Sequence, residues 1–102
     1  MTLTRDLPMV GLDREIPDEL FVVLHAATRR YGCFCHQGVH GLAAFSSRED
    51  AERFQGLIEL KGLYVVPIAF DEARQVAKER PMPVVALMLL DDLADPVVHY
   101  VR

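Results

Sequence analysis

Apolar positions in this chain fall in short, dense runs separated by polar punctuation, and the spacing inside each run decides what it forms. Leu20-Phe21-Val22-Val23-Leu24 is an uninterrupted apolar block rich in β-branched and aromatic side chains. A surface helix would interleave polar positions there, so the block predicts a strand running to Ala26. A helix over residues 20–30 is the competing reading. Pro17 suits a first turn, Asp18 and Glu19 an N-terminus, Arg29 and Arg30 a last turn, and Gly32 a stop. The strand is preferred.

Cys33-Phe34-Cys35 and Gly41-Leu42-Ala43-Ala44-Phe45 flank the turn-forming pair Gln37-Gly38, which predicts a meander of short antiparallel strands. Ser46-Ser47-Arg48-Glu49 has the Ser-x-x-Glu form of a capping box, so a helix is expected to start there. In that helix Ala51, Phe54, Leu57 and Ile58 share one apolar face, and Lys61-Gly62 closes the pattern. Leu63 to Phe70 is a β-rich run in which Pro67 marks an edge or the end of regular pairing. Asp71 is placed to cap a second helix that buries Ala73, Val76 and Ala77 and stops before Pro81. Val84 to Leu90 is apolar at every position and short for a helix, which predicts a central strand covered on both sides. Asp91-Asp92 and Asp95-Pro96 turn the chain into a last strand, Val97 to Val101.

The predicted order is β-β-β-α-β-α-β-β. It implies an α+β (or α/β) domain, with a mixed, mostly antiparallel sheet of about five to six strands and two helices able to cover one face. Residues 1–19 carry Pro8, Gly11 and Pro17 without a sustained period and read as an irregular arm, leaving residues 20–102 as the single domain.

Two segments carry a family likeness. Gly41-Leu42-Ala43-Ala44-Phe45-Ser46-Ser47-Arg48-Glu49-Asp50-Ala51-Glu52-Arg53-Phe54, followed by Val65-Val66-Pro67-Ile68-Ala69-Phe70-Asp71-Glu72-Ala73, resembles the N-terminal domain of SseB-like bacterial proteins. These also place a strand ending in Phe-Thr/Ser before a capped helix, then a strand and a short helix. The likeness spans roughly residues 20–92 and implies a small bacterial domain of unassigned function. It implies no catalytic residues, and the cysteine-rich stretch lies outside the matching motifs.

The composition fits a chain that folds on its own core: 102 residues, 51% apolar and 25% charged. Its net charge of -4, with basic residues no more clustered than Arg29-Arg30, argues against a nucleic-acid partner, which would need a concentrated positive face. The apolar runs are too short for a membrane span, and the first residues lack the apolar core of a secretory signal. A cytoplasmic protein is therefore expected, with its cysteines reduced.

Candidate chemistry gathers in Tyr31-Gly32-Cys33-Phe34-Cys35-His36-Gln37-Gly38-Val39-His40-Gly41. This stretch holds both cysteines and two of the four histidines. Cys33, Cys35, His36 and His40 have the donor atoms of a tetrahedral zinc site. In an extended strand, however, Cys33 and Cys35 share one face and His36 takes the other. The preferred reading buries the two cysteines as small apolar side chains and leaves His36 and His40 near a solvent-facing turn. A thiol centre pairing Cys35 with His36, His40 or His99 is the alternative. The spacing of the two cysteines does not fit covalent haem attachment, and no glycine loop for phosphate is present. Asp91, Asp92 and Asp95 lack the glycine and distal glutamate of a calcium loop and are read as turn residues, and His99 as a strand-face residue.

The expected function is therefore a noncatalytic module that binds a protein partner or forms a homo-oligomer, with no catalytic residue and no cofactor. The alternative is a metal-binding or thiol-dependent protein using Cys33, Cys35, His36 and His40, with zinc as its cofactor.

Overall fold

A computed structural model describes residues 16–102. The irregular arm expected over residues 1–19 lies almost entirely outside them. Among the described residues there are seven strands and two helices: β1 (Glu19–His25), β2 (Arg30–Tyr31), β3 (Cys33–His36), β4 (Val39–Ala44), α1 (Arg48–Gln55), β5 (Leu63–Ala69), α2 (Phe70–Glu79), β6 (Val84–Leu89) and β7 (Val97–Tyr100). The expected α+β order is what the chain adopts, with β2 as an additional short strand.

The strands form two sheets, β2-β1-β5 and β3-β4-β6-β7, rather than one. All pairings are antiparallel except β4 with β6. The two sheets are stitched together where β1 passes the end of β4. Phe21 and Phe45 exchange both backbone hydrogen bonds, at 2.8 and 2.9 Å. Gly32 sits where the chain leaves β2 for β3, and its N–H donates to Val23 while its carbonyl accepts from Ala43. A Cβ on Gly32 would stand 3.3 Å from the Phe54 ring. Glycine therefore lets one continuous stretch serve both sheets.

The helices lie on opposite faces, not on one. Leu20, Val22, Leu42, Ala44, Leu87 and Leu89 pack with Ala73 and Ala77 of α2. The alternate positions Val23, Ala43, Phe45, Met88 and Leu90 pack with Ala51 and Phe54 of α1. Strands that are apolar at every position must be covered on both sides, because each fully buried Leu or Phe side chain contributes about 1.5–3 kcal/mol that a bare face would forfeit. Residues 84–90 thus form an interior strand flanked by β4 and β7.

Local signals shift by a residue or two. The N-cap of α1 is Ser47, whose hydroxyl accepts from the Asp50 N–H at 3.2 Å. Ser46, the expected cap, is held instead by Asp91. α1 ends at Gln55 with Gly56 as its C-cap, well before Lys61-Gly62. Leu57 consequently leaves the expected buried face and is 67% exposed. α2 starts after Ala69 with no side-chain cap, and Asp71 sits in its first turn. Its far end is closed by Arg102, whose guanidinium donates to the carbonyls of Lys78 and Arg80 and, at 2.9 Å, to that of Val84. Pro67 lies opposite Phe21 on β5, an edge strand, where its missing N–H costs no ladder bond. No helix among the described residues is long and apolar enough to cross a membrane.

Candidate functional site

The cysteine-histidine stretch forms the β3–β4 hairpin. Gln37 and Gly38 both take positive φ, 51° and 82°, the pattern of a type I′ turn whose twist matches that of the flanking strands. This turn sets the register, with Cys33 opposite Leu42, Cys35 opposite His40 and His36 opposite Val39.

The period of two then distributes the side chains. Phe34 turns toward the α1 face, where its ring meets Phe54 edge-on at 6.3 Å. Cys33 and Cys35 must take the other face of β3, and both are exposed. The expectation that the cysteines pack inward is overturned. A phenyl ring buries far more apolar area than a thiol, so Phe34 decides which face of this edge strand goes inside.

The same alternation separates His36 from the cysteines and leaves His40 with Cys35. The Cys35 Sγ lies 3.6 Å from His40 Nε2. Cys33 Sγ donates to the Tyr31 carbonyl at 3.7 Å. Cys33 is exposed as a residue, yet enough protein surrounds its thiol that desolvation raises its pKa, with the Arg80 guanidinium opposing that shift. Of Cys33, Cys35, His36 and His40, only Cys35 and His40 are brought together as donors. Among the described residues, no group of three or more histidine, cysteine, aspartate or glutamate side chains is gathered to hold a metal ion. A thiol beside an imidazole can exchange a proton, which is the first requirement of thiol chemistry.

The other sequence candidates take structural places. The Asp91 carboxylate accepts from the Ser46 N–H at 2.9 Å and from the Ser46 hydroxyl, and Asp92 accepts from the Ala94 N–H at 3.0 Å. His99, on β7, meets the Phe70 ring edge-on at 5.4 Å, and its buried Nε2 has no hydrogen-bond partner among the described residues.

One feature escaped the sequence reading. A cleft of about 440 Å³ opens between the β1–β2 hairpin and the α1–β5 connection, lined by His25, Thr28, Arg30 and Cys33 above Val23, Ile58 and Leu63. These residues come from two separate stretches of chain, residues 23–33 and 58–63. The only local signal was the polar trio His25, Thr28 and Arg30 at a hairpin turn.

Fold and hairpin together define a small α+β domain that presents an exposed thiol-imidazole pair. No protein-family model matches the chain, and none of the curated proteins is similar enough in sequence to count as a relative.

Proposed function

We propose that this chain is a noncatalytic protein-interaction module of the bacterial cytoplasm, as the SseB-like motifs imply, and that it assembles as a homodimer through β7. The observation that carries this reading is the contrast between two sheet edges. On β5, Pro67 interrupts the edge, and α1 side chains occupy its carbonyls: Arg48 donates to Val65 at 3.2 Å and Gln55 to Leu63 at 2.9 Å. Such devices protect an edge from other strands. β7 has none of them within Val97–Tyr100, and among the described residues nothing pairs with its outer side.

The geometry of that edge suits a second copy of itself. Val101 N–H donates to the Val85 carbonyl at 2.9 Å. By alternation, the backbone groups of Val98 and Tyr100 point away from β6. An antiparallel pair of identical strands is self-complementary about a two-fold axis, the commonest symmetry of homodimers. Tyr100, 58% exposed, would be covered by the pairing.

The test is mass in solution by light scattering. The intact protein is expected to be a dimer, and Tyr100→Pro, which removes an outward N–H while sparing the ladder to β6, is expected to be a folded monomer. A monomeric intact protein at high micromolar concentration, or a Tyr100→Pro variant that stays dimeric, would sink the proposal.

A further inference from the structure

The cleft beside the β1–β2 hairpin has a polar wall and an apolar floor. His25 and Arg30 are directly paired across the two strands, so their side chains project from the same face. His25 Nδ1 shares a hydrogen bond with Thr28 Oγ1 at 2.7 Å, which holds the ring and leaves Nε2 to a ligand. Arg30 is permanently cationic and presents a planar fork suited to a carboxylate. The lining contains no aspartate or glutamate, and among the described residues Arg30 forms no ion pair. Below this wall lie Val23, Ile58 and Leu63, and at the rim Leu60 is 59% exposed. The volume, about 440 Å³, falls in the range of small-molecule sites.

We propose that this cleft binds a small amphipathic carboxylate, with its headgroup against Arg30 and His25 and its acyl chain along the floor to Leu60. Each half of the cleft argues for one half of the ligand. The exposed Arg30 guanidinium at the mouth offers a neutral apolar molecule no charge-assisted bond, whereas a purely polar anion would leave Leu60 and the floor wet.

Octanoate is the probe, titrated into the isotope-labelled protein and followed by backbone amide shifts. Saturable shifts are expected at Val23, Gly32, Ile58 and Leu63. Arg30→Gln, or octanol in place of octanoate, is expected to weaken binding about tenfold or more, since each deletes a charge-assisted hydrogen bond. Leu60→Asp, at an exposed position that leaves the fold intact, should weaken it as well. Octanoate should also slow alkylation of Cys33 in a Cys35→Ser protein while leaving Cys35 unprotected in Cys33→Ser. Absence of saturable shifts at millimolar octanoate would overturn the proposal. So would octanol or Arg30→Gln matching the original affinity, or equal protection of both cysteines.

Discussion

The Asp91 carboxylate grips Ser46 through both its oxygens, one on the backbone N–H at 2.9 Å and one on the hydroxyl, and so ties the second residue beyond β4 to the second residue beyond β6. These strands form the one parallel pair in the sheet, a pairing that needs a long crossover and gains no hairpin turn to hold its ends. The clamp takes the place of a turn.

Asp91→Ala should therefore destabilise the protein by about 1–2 kcal/mol, the scale of a charge-assisted hydrogen bond at an exposed site. Ser46→Ala should cost less, because its backbone N–H still reaches the carboxylate. Urea denaturation of both variants checks the order, and equal losses would assign the effect to the serine hydroxyl alone.

A second prediction concerns Gly41, in the middle of β4. A Cβ there would lie 2.7 Å from Met88 Cγ and 3.1 Å from the Ala86 carbonyl oxygen. Met88 is fully buried and the carbonyl belongs to β6, so neither can give way cheaply. Gly41→Ala should cost about 1–3 kcal/mol through overpacking. Shortening the neighbour in a Gly41→Ala/Met88→Ala protein should recover part of that loss relative to Met88→Ala alone, and a thermodynamic cycle over the four proteins measures the coupling.

The two cysteines should differ in reactivity. Burial raises the pKa of Cys33 against the pull of Arg80, so it holds less thiolate than an ordinary cysteine at mildly alkaline pH and should alkylate more slowly than Cys35. A folded-state pKa above the unfolded one means that the folded protein binds the proton more tightly. The stability this contributes is complete below the ordinary cysteine pKa and is lost as pH rises through the folded value. Comparing the intact protein with Cys33→Ser at pH 7 and again well above the cysteine range should show the intact protein losing its relative advantage only in alkali.

The hairpin at Gln37-Gly38 and the interior position of residues 84–90 were legible in the sequence, and Pro67 narrowed β5 to an edge or an end of pairing, of which the structure has the edge. Each depends on a local rule: the turn needs positive φ, proline lacks a donor, and a strand without polar positions needs cover on both faces. The capping of α1 was legible only to within one residue. Ser46 and Ser47 are chemically alike, and what separates them is Asp91, brought in by the β4–β6 pairing.

The candidate site followed the same division. The alternation along Cys33-Phe34-Cys35-His36 already separated His36 from the cysteines, a consequence of backbone geometry alone. Which face points inward is a contest between Phe34 and two thiols for the cover of α1, and only the packed structure decides it, by seating Phe34 against Phe54. The cleft at His25 and Arg30 has a local polar wall but depends on tertiary structure to close, because residues 23–33 meet Ile58, Leu60 and Leu63 only after the α1–β5 connection folds back over the hairpin. Sequence patterning determined the elements and their order in this protein, since propensity and period act between near neighbours. Tertiary structure decided which faces are buried, which edges stay open and which side chains converge, since those outcomes depend on surfaces that distant segments bring together.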